Sequence, residues 1–312
     1  MRILIVGAGA TGGAFGARLI EAGRDVTFLV RPGRAKQLEA SGLVFHAPDG
    51  ARTYRLRAVT ALEPGEPYDL VIVALKAPAL PGALATMAPA IGPGTAILPL
   101  LNGLDHIDEL ERAYPGHVVG GLVKIVATVG PDGAVHQMTP LCTMTIGALD
   151  GGRLDPAVVD ALTVEGVTLS VDPDIRTRLW EKWVFIAAAG IITCLFRGNI
   201  GDILAAGGEG HILQAIAETE DVASRAGHPV GEASHAQSLE LLTAPGSEFT
   251  SSLYRDLQHG EPAEAEHILG GLAARARILG VPTPLLDATL LQLRTHRQAS
   301  ARATAGASPA QP

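Results

Sequence analysis

The apolar residues of this chain follow two different patterns. Up to residue 172, short runs of consecutive apolar residues alternate with longer mixed segments, and the clearest runs cover residues 2–6, 25–30, 69–75 and 96–101. Runs of this length and β-branched content predict strands buried on both faces of a parallel sheet. The mixed segments predict helices at residues 10–22 (an amphipathic one), 35–41, 78–90 and 107–113. The alternation predicts a doubly wound α/β domain over residues 1–172.

The rest of the first domain is less regular. Residues 43–45 and 54–59 predict strands around the turn at residues 48–50, and residues 118–128 predict a further strand. Residues 130–146, with their threonines, predict antiparallel strands at the edge of the same sheet. A helix at 156–163 and a strand at 167–171 close the domain.

Beyond residue 172 no strand pattern remains. The sequence predicts helices at residues 175–196, 210–226, 232–242, 251–258, 264–279 and 284–298. Residues 173–298 are therefore predicted to form an all-α domain. The tail at residues 299–312 is rich in Ala, Ser, Pro and Gln, has little to bury, and is predicted to be disordered.

A glycine motif lies between the first strand and the first helix. It reads Gly7-Ala8-Gly9-Ala10-Thr11-Gly12. In a GxGxxG motif the first glycine permits the tight turn, the second lets a pyrophosphate approach the backbone, and the third lets the helix pack against the sheet. Because the motif stands between a strand and a helix, it predicts a Rossmann-type dinucleotide site with the phosphates at the helix N-terminus.

The end of the second strand predicts which dinucleotide binds. An acidic residue there favours NAD, whereas an arginine accommodates the 2′-phosphate of NADP. This chain has Arg31, and no carboxylate lies between Asp25 and Glu39. The sequence therefore favours NADP(H), and it leaves open whether Arg34 joins Arg31 at the 2′-phosphate.

Composition and charge narrow the class of protein. The chain is 47% hydrophobic and 18% charged with a net charge of −8, so it is predicted to be globular and not to bind nucleic acid. The first apolar run stops at Gly7, too early for a signal peptide, and no membrane-spanning segment is predicted. The two cysteines, Cys142 and Cys194, are expected to remain reduced thiols in a cytoplasmic protein. All-α domains with this much apolar surface often dimerise, so a homodimer is possible from the sequence, which does not itself specify one.

Several polar residues are candidates for chemistry. Lys76 and Asn102 follow predicted strands, where open α/β sheets bind ligands, although a solvated lysine and an Asn-Gly turn are the simpler interpretations. Lys182 lies on a strongly apolar helix, where a partly buried ammonium can act as a general acid or form a salt bridge. The hydroxyl cluster at residues 250–252 can cap a helix or bind a small carboxylate. No metal-ligand spacing and no nucleophile motif is present in the sequence.

Taken together, these residues resemble the ketopantoate reductase (2-dehydropantoate 2-reductase) family over residues 1–297. The resemblance rests on the glycine motif, Arg31, Lys76, the Leu101-Asn102-Gly103 turn, the segment Leu179-Trp180-Glu181-Lys182, and a last block from Thr250-Ser251-Ser252 through Asp256 to Glu264. It implies an NADPH-dependent reduction of 2-dehydropantoate to pantoate, an intermediate of pantothenate synthesis, with the 2-keto acid between two domains. Hydride would reach the 2-keto carbon, and Lys182 would protonate the oxygen. Glu264 would hold Lys182 or a substrate hydroxyl, while Asn102 and Ser252 would position substrate.

One departure from the family pattern concerns the substrate. The family carries asparagines four and eight residues after the lysine, where this chain has Ile186 and Gly190. Either other groups such as Thr193 or Asn199 replace them at the substrate, or the substrate is a less polar 2-keto acid. A non-catalytic NADP-sensing relative is the alternative from a different class of protein.

Overall fold

In the computed structural model, which describes residues 1–149, 151–260 and 264–306, the chain forms two compact units, Met1–Leu179 and Trp180–Pro312. The division falls inside the long helix predicted at residues 175–196. The domain boundary at residue 172 therefore stays a sequence-based prediction.

The first unit alternates strands and helices along the chain. Its strands are β1 (Arg2–Val6), β2 (Asp25–Leu29), β3 (Leu43–Ala47), β4 (Gly50–Tyr54), β5 (Arg57–Val59), β6 (Leu70–Val73), β7 (Ala96–Pro99), β8 (Val119–Val129), β9 (Val135–Ala148) and β10 (Thr168–Val171). Its helices are α1 (Ala10–Glu21), α2 (Pro32–Ser41), α3 (Leu80–Met87), α4 (Asp105–Ala113) and α5 (Pro156–Leu162), with 3-10 turns at Ala77–Ala79 and Ala88–Ala90.

A five-stranded parallel sheet carries the dinucleotide-binding topology. Its strand order is β5-β2-β1-β6-β7, and the four neighbouring pairs are parallel. Val6 at the end of β1 pairs with Leu29 of β2 and Val73 of β6. The order reverses between β1 and β6, and ligands bind at such a switch point, outside the carboxyl ends of the strands. The predicted Rossmann-type fold is confirmed.

A second sheet corrects one part of the prediction. Residues 130–146 do not lie at the edge of the parallel sheet, because β9 pairs antiparallel with β8 in a separate five-stranded sheet that also contains β10, β3 and β4. Val118, just before β8, still forms a single parallel bridge with Ile97 of β7. The predicted strand at 54–59 is likewise divided, with β4 in the second sheet and β5 beside β2. Apolar patterning shows that a segment is extended but not which strand it pairs with, so these assignments could not be derived locally.

Helix α1 packs between the two sheets, so it is buried on both faces and is not the amphipathic helix that the sequence predicts. The sequence suggests an amphipathic helix, yet α1 is buried without interruption from Gly12 to Leu19. On the side of the parallel sheet, a Cβ added to Gly16 would lie 2.3 Å from Cζ of Phe28. On the other side, α1 reaches Val135 of β9. A helix covered on both faces needs small residues, and this one has five glycines or alanines in that stretch besides its larger side chains.

The second unit contains helices and connecting loops and no strand among its described residues. Its helices are α6 (Ile175–Phe196), whose first residues belong to the other unit, α7 (Ile200–Ala205), α8 (Glu209–Arg225), α9 (Glu232–Leu242), α10 (Ser252–Gln258), α11 (Gly271–Leu279) and α12 (Pro284–Gly306). A π-helical turn, Glu266–Gly270, leads into α11. Helix α7 is absent from the sequence-based prediction because it is only six residues long.

The predicted disordered tail is partly wrong. Helix α12 continues through residues 299–306, and the remainder, residues 307–312, lies outside the described residues. Residues 299–306 contain four alanines, and alanine has the highest helix propensity, so the composition of this segment favours continuation of the preceding helix.

Among the described residues, α6 is the one helix long and apolar enough to cross a membrane by length and composition. The sequence-based prediction found no such segment. In the structure, 72% of the most apolar 18-residue stretch of α6 is buried inside the protein. That degree of burial is typical of the central helix of a helical core.

Candidate active site

The glycine motif forms the turn from β1 into α1, and two of its glycines allow no side chain. Gly7 has a φ of +104°, and a Cβ there would lie 2.5 Å from the carbonyl oxygen of Ala74. A Cβ on Gly12 would lie 2.1 Å from the carbonyl oxygen of Gly7. Around Gly9, by contrast, no atom of the described residues other than its chain neighbours lies within 4 Å of the position a Cβ would take. The backbone at Gly9 is therefore open to a ligand, as a pyrophosphate cradle at a helix N-terminus requires.

Three further predicted residues lie at the same edge of the parallel sheet. Arg31 follows β2 and is exposed, Lys76 follows β6 and is exposed, and Asn102 follows β7 and is half-buried. Because β2, β1, β6 and β7 are parallel neighbours, their carboxyl ends coincide. The structure thus gathers the motif, both cations and the amide at the switch point, while their individual roles stay predictions.

Lys182 is half-buried on α6, and its neighbours in sequence are held in place. The indole of Trp180 stacks on the imidazole of His228 with 5.7 Å between ring centroids. The carboxylate of Glu181 is buried and accepts a hydrogen bond from the backbone N–H of Gly231 at 3.1 Å. The segment that carries Lys182 is therefore fixed against the loop that precedes α9.

The residue after Lys182 ties α6 to the segment that carries Glu264. The buried indole of Trp183 donates from Nε1 to the carbonyl oxygen of Ile268 at 2.8 Å. The N–H of Ile268 in turn donates to the carbonyl oxygen of Glu264 at 2.9 Å. Lys182 and Glu264 are thus linked through two hydrogen bonds and the π-helical turn. Such turns occur often at functional sites.

The hydroxyl cluster divides into a structural member and an exposed one. Ser251 is buried and caps α10, because its Oγ accepts from the N–H of Tyr254 at 3.1 Å and lies 2.7 Å from Oγ1 of Thr193. Ser252 is exposed at the first residue of α10. The substrate contact predicted for Ser252 stays a prediction.

The two residues proposed to replace the family's asparagines have structural roles. Thr193 is fully buried and donates to the carbonyl oxygen of Ala189 at 2.7 Å. Asn199 caps α7, where its Oδ1 accepts from the N–H of Asp202 at 2.7 Å. A substrate contact by Asn199 stays a prediction and would have to use its amide nitrogen.

The face of α6 beyond Lys182 is apolar and closely packed. Ile186 is half-buried one turn after Lys182. Gly190 is buried, and a Cβ there would lie 2.8 Å from Cδ1 of Leu253 and 3.6 Å from Cδ2 of Leu269. The space that a side chain at position 190 would use is thus occupied by α10.

Both cysteines are buried as free thiols. Burial raises the pKa of Cys142 to about 11 and that of Cys194 to about 12. Since the thiolate is the nucleophile, these values leave both thiols unreactive near neutral pH. Among the described residues, no group of three or more His, Cys, Asp or Glu is placed to hold a metal ion.

The fold and the gathered residues define a dinucleotide-binding α/β protein with a helical second domain. The family description Ketopantoate reductase PanE/ApbA matches residues 3–151, and its C-terminal counterpart matches residues 174–297. The chain belongs to the ketopantoate reductase family and is an oxidoreductase of that family.

The sequence is similar to those of known proteins along nearly the whole chain. It is 33% identical over 300 residues to the uncharacterized oxidoreductase YkpB of Bacillus subtilis (strain 168), covering 95% of this chain and 99% of that protein. It is 30% identical over 297 residues to the 2-dehydropantoate 2-reductase of Archaeoglobus fulgidus, covering 94% and 96% respectively.

A solved structure shares the fold at lower sequence identity. The ternary structure of D-mandelate dehydrogenase with NADH and anilino(oxo)acetate superposes with a TM-score of 0.87 at 21% identity, covering 96% of this chain and 99% of that one.

Proposed function

We propose that this protein catalyses the NADPH-dependent reduction of 2-dehydropantoate to pantoate. The observation that carries the proposal is the placement of the glycine motif, Arg31, Lys76 and Asn102 at one carboxyl edge of the parallel sheet. Membership of the ketopantoate reductase family supports a nicotinamide cofactor and an oxidoreductase activity. The choice of NADPH rests on Arg31, which is exposed where a 2′-phosphate would need a cation.

The glycine turn fits the cofactor's pyrophosphate. Gly7 and Gly12 leave no room for side chains, and Gly9 faces open space. Residues 7–12 would hold the pyrophosphate, with Arg31 at the 2′-phosphate, Lys76 as a second cation and Asn102 beside the nicotinamide. When bound, the cofactor supplies the hydride.

On the helical unit, Lys182 would donate a proton to the substrate oxygen and stabilise its developing negative charge. A half-buried ammonium suits this role, because a low local dielectric strengthens its attraction to an oxyanion. Glu264 would orient Lys182 or bind a substrate hydroxyl, and Ser252 would help to hold the substrate. The anchored residues on both sides of Lys182 support this role, since a general acid must be held in position.

The second candidate is a less polar 2-keto acid, and it is motivated by the residues at positions 186 and 190. Ile186 is apolar, and Leu253 fills the space next to Gly190. Two amides fewer would weaken the binding of a hydroxylated substrate by about 1 kcal/mol for each lost hydrogen bond. Aliphatic and aryl 2-keto acids without hydroxyl groups are therefore the comparison substrates.

The test is steady-state reduction with NADPH and NADH across 2-dehydropantoate, an aliphatic 2-keto acid and an aryl 2-keto acid. We expect the highest kcat/KM with NADPH and 2-dehydropantoate. Equal kcat/KM for the two cofactors would refute the assignment of NADPH. A preference for the unhydroxylated acids would select the second candidate.

The role of Lys182 is tested by Lys182→Ala. General acid catalysis contributes about 100-fold or more, so kcat should fall at least that far. Lys36→Ala removes an exposed lysine of α2 and is the matched control. Near-wild-type turnover by Lys182→Ala would remove this lysine from the chemistry. NADPH binding without oxidation of any substrate would instead indicate the non-catalytic NADP-sensing relative.

A further inference from the structure

We propose that Arg34 is a positioning residue for the pyrophosphate of the dinucleotide and does not read the 2′-phosphate. The inference rests on the proposed cofactor. It gives the two arginines after β2 different tasks, in which Arg31 selects between NADP and NAD while Arg34 shapes the site for either.

Arg34 connects the glycine motif to the turn between β8 and β9. Its Nε donates to the carbonyl oxygen of Ala8 at 3.1 Å, and its Nη1 donates to the carbonyl oxygen of Gly133 at 2.8 Å and to Oε1 of Gln37 at 2.6 Å. Ala8 is the residue between Gly7 and Gly9, so one planar guanidinium fixes the peptide that forms the predicted phosphate cradle.

The turn is fitted closely to this part of α2. Gly133 has a φ of +82°, and a Cβ there would lie 2.0 Å from Nε2 of Gln37. That amide donates to the carbonyl oxygen of Asp132 at 2.5 Å. The turn and α2 are thus in close contact at the place where Arg34 reaches from the turn to the glycine motif.

The charge of Arg34 has no carboxylate partner among the described residues. Arg34 is half-buried, its Nη2 is buried, and this burial lowers the pKa of the guanidinium. The contrast within the same unit is Arg18, which is buried but bonded to Glu21 at 3.0 Å and to Asp49 at 3.2 Å. A cation that is partly removed from water and has no counter-ion is unfavourable. An anion that binds at the adjacent glycine motif would offset this cost.

The donors of Arg34 are not available to a phosphate at the sheet edge. Nε and Nη1 are used on backbone and amide oxygens, and Nη2 is buried without a hydrogen-bond partner among the described residues. Arg31, three positions earlier, is exposed. A 2′-phosphate can therefore reach Arg31 directly, whereas Arg34 acts on the ligand through Ala8 and through its charge.

The experiment is equilibrium titration of the full-length protein with NADPH and with NADH. The variants are Arg34→Met, Arg34→Lys, Arg31→Met and the control Arg24→Met. Arg24 is half-buried and donates to the carbonyl oxygens of Ala161 and Asp160, but it precedes β2 and so lies at the opposite edge of the sheet. Arg24→Met therefore also removes hydrogen bonds from a guanidinium to backbone carbonyl oxygens, but it leaves the glycine motif intact.

We expect Arg34→Met to raise the Kd of NADPH and of NADH by the same factor, about tenfold or more, since a charge-assisted bond and a nearby cation are lost. Arg31→Met should raise the Kd of NADPH alone. Arg34→Lys, which keeps the charge and one donor, should restore most of the affinity for both, and Arg24→Met should change neither Kd. Should Arg34→Met fail to fold, Arg34→Gln keeps a donor for Ala8, removes the charge and gives the same comparison.

A selective loss of NADPH affinity in Arg34→Met would overturn the proposal by making Arg34 a 2′-phosphate ligand. Unchanged affinities would overturn it as well, and so would an equal loss in Arg24→Met, which would indicate general destabilisation. Failure of the wild type to bind either nucleotide would refute the proposed cofactor and this inference together. Wild-type binding with no effect at Arg34 would refute only the inference.

Discussion

The hydrogen bond from Trp183 to Ile268 can be isolated, because the chain has only two tryptophans and both lie on α6. Trp183→Phe removes the indole N–H that donates to the carbonyl oxygen of Ile268 at 2.8 Å. Trp180→Phe makes the same change three residues earlier, at a buried indole with no hydrogen bond among the described residues. Each variant retains the other tryptophan as a fluorescent probe of the same unit.

The expected loss at Trp183 has three parts. An unpaired buried carbonyl costs about 1 to 3 kcal/mol, and the space left by the smaller ring costs about 1 kcal/mol. The guanidinium of Arg275 lies 4.8 Å from the centre of the Trp183 ring, and phenylalanine weakens that contact by about 0.5 kcal/mol. The free energy of unfolding should therefore fall by about 3 kcal/mol, against about 1 kcal/mol for Trp180→Phe, which loses volume and weakens the stack on His228. The tilted contact between the two indole rings, with 5.1 Å between centroids, is altered in both variants.

The assay is urea denaturation followed by the fluorescence of the remaining tryptophan, with kcat measured in parallel. Because Trp183 connects Lys182 to the segment of Glu264, kcat should fall further in Trp183→Phe than in Trp180→Phe. Equal losses of stability in the two variants would show that the bond to Ile268 contributes nothing beyond packing. Equal kcat values would show that this bond does not position the site.

Two further predictions concern stability. Glu218 of α8 is buried, and its carboxylate accepts hydrogen bonds from the N–H groups of Leu285 and Leu286 at 3.1 and 3.2 Å. Glu218→Ala leaves these two N–H groups of the first turn of α12 unpaired, so the free energy of unfolding measured by urea denaturation should fall by about 3 kcal/mol. A loss below about 1 kcal/mol would contradict this capping role. The hydrogen bond from Arg18 lowers the pKa of Asp49 to about 2, and a lowered carboxyl pKa stabilises the fold above the unfolded-state pKa and loses that effect as the pH falls. Because Asp49 is exposed, solvent screening reduces the expected effect, and Asp49→Asn should lower the free energy of unfolding by about 1 kcal/mol at pH 7. The difference from the wild type should shrink between about pH 4 and pH 2. A difference that does not depend on pH would contradict the ionic origin.

The parallel sheet and its ligand-binding edge could be predicted because their signals are local. Each candidate there follows directly from an apolar run that ends at it, as Gly7 follows β1 and Arg31 follows β2. Parallel packing then brings the ends of neighbouring strands together without further information. The predicted helices of the second unit depend on the same kind of local periodicity.

The second sheet and the burial of α1 could not be predicted in this way. Both depend on which distant segments pair, and β3 reaches its partner β9 across ninety residues of sequence, as the register of Phe45 with Val135 shows. The same limit applies inside the site. Glu181, Trp183 and Arg34 act through backbone groups of Gly231, Ile268 and Ala8, and a backbone carbonyl or N–H has no signature in the sequence.

The packing around Gly190 changes what the departure from the family pattern means. The sequence alone suggests that glycine in place of asparagine at position 190 removes one polar group that would face the substrate. In the structure Leu253 occupies the space beside Gly190, and Leu253 directly follows Ser252 in α10. An asparagine at position 190 would displace that leucine, and forcing extra atoms into a packed core costs about 1 to 3 kcal/mol. The packing of α10 against α6 therefore restricts the side chain that position 190 can carry in this protein, and a polar residue there would require Leu253 to move.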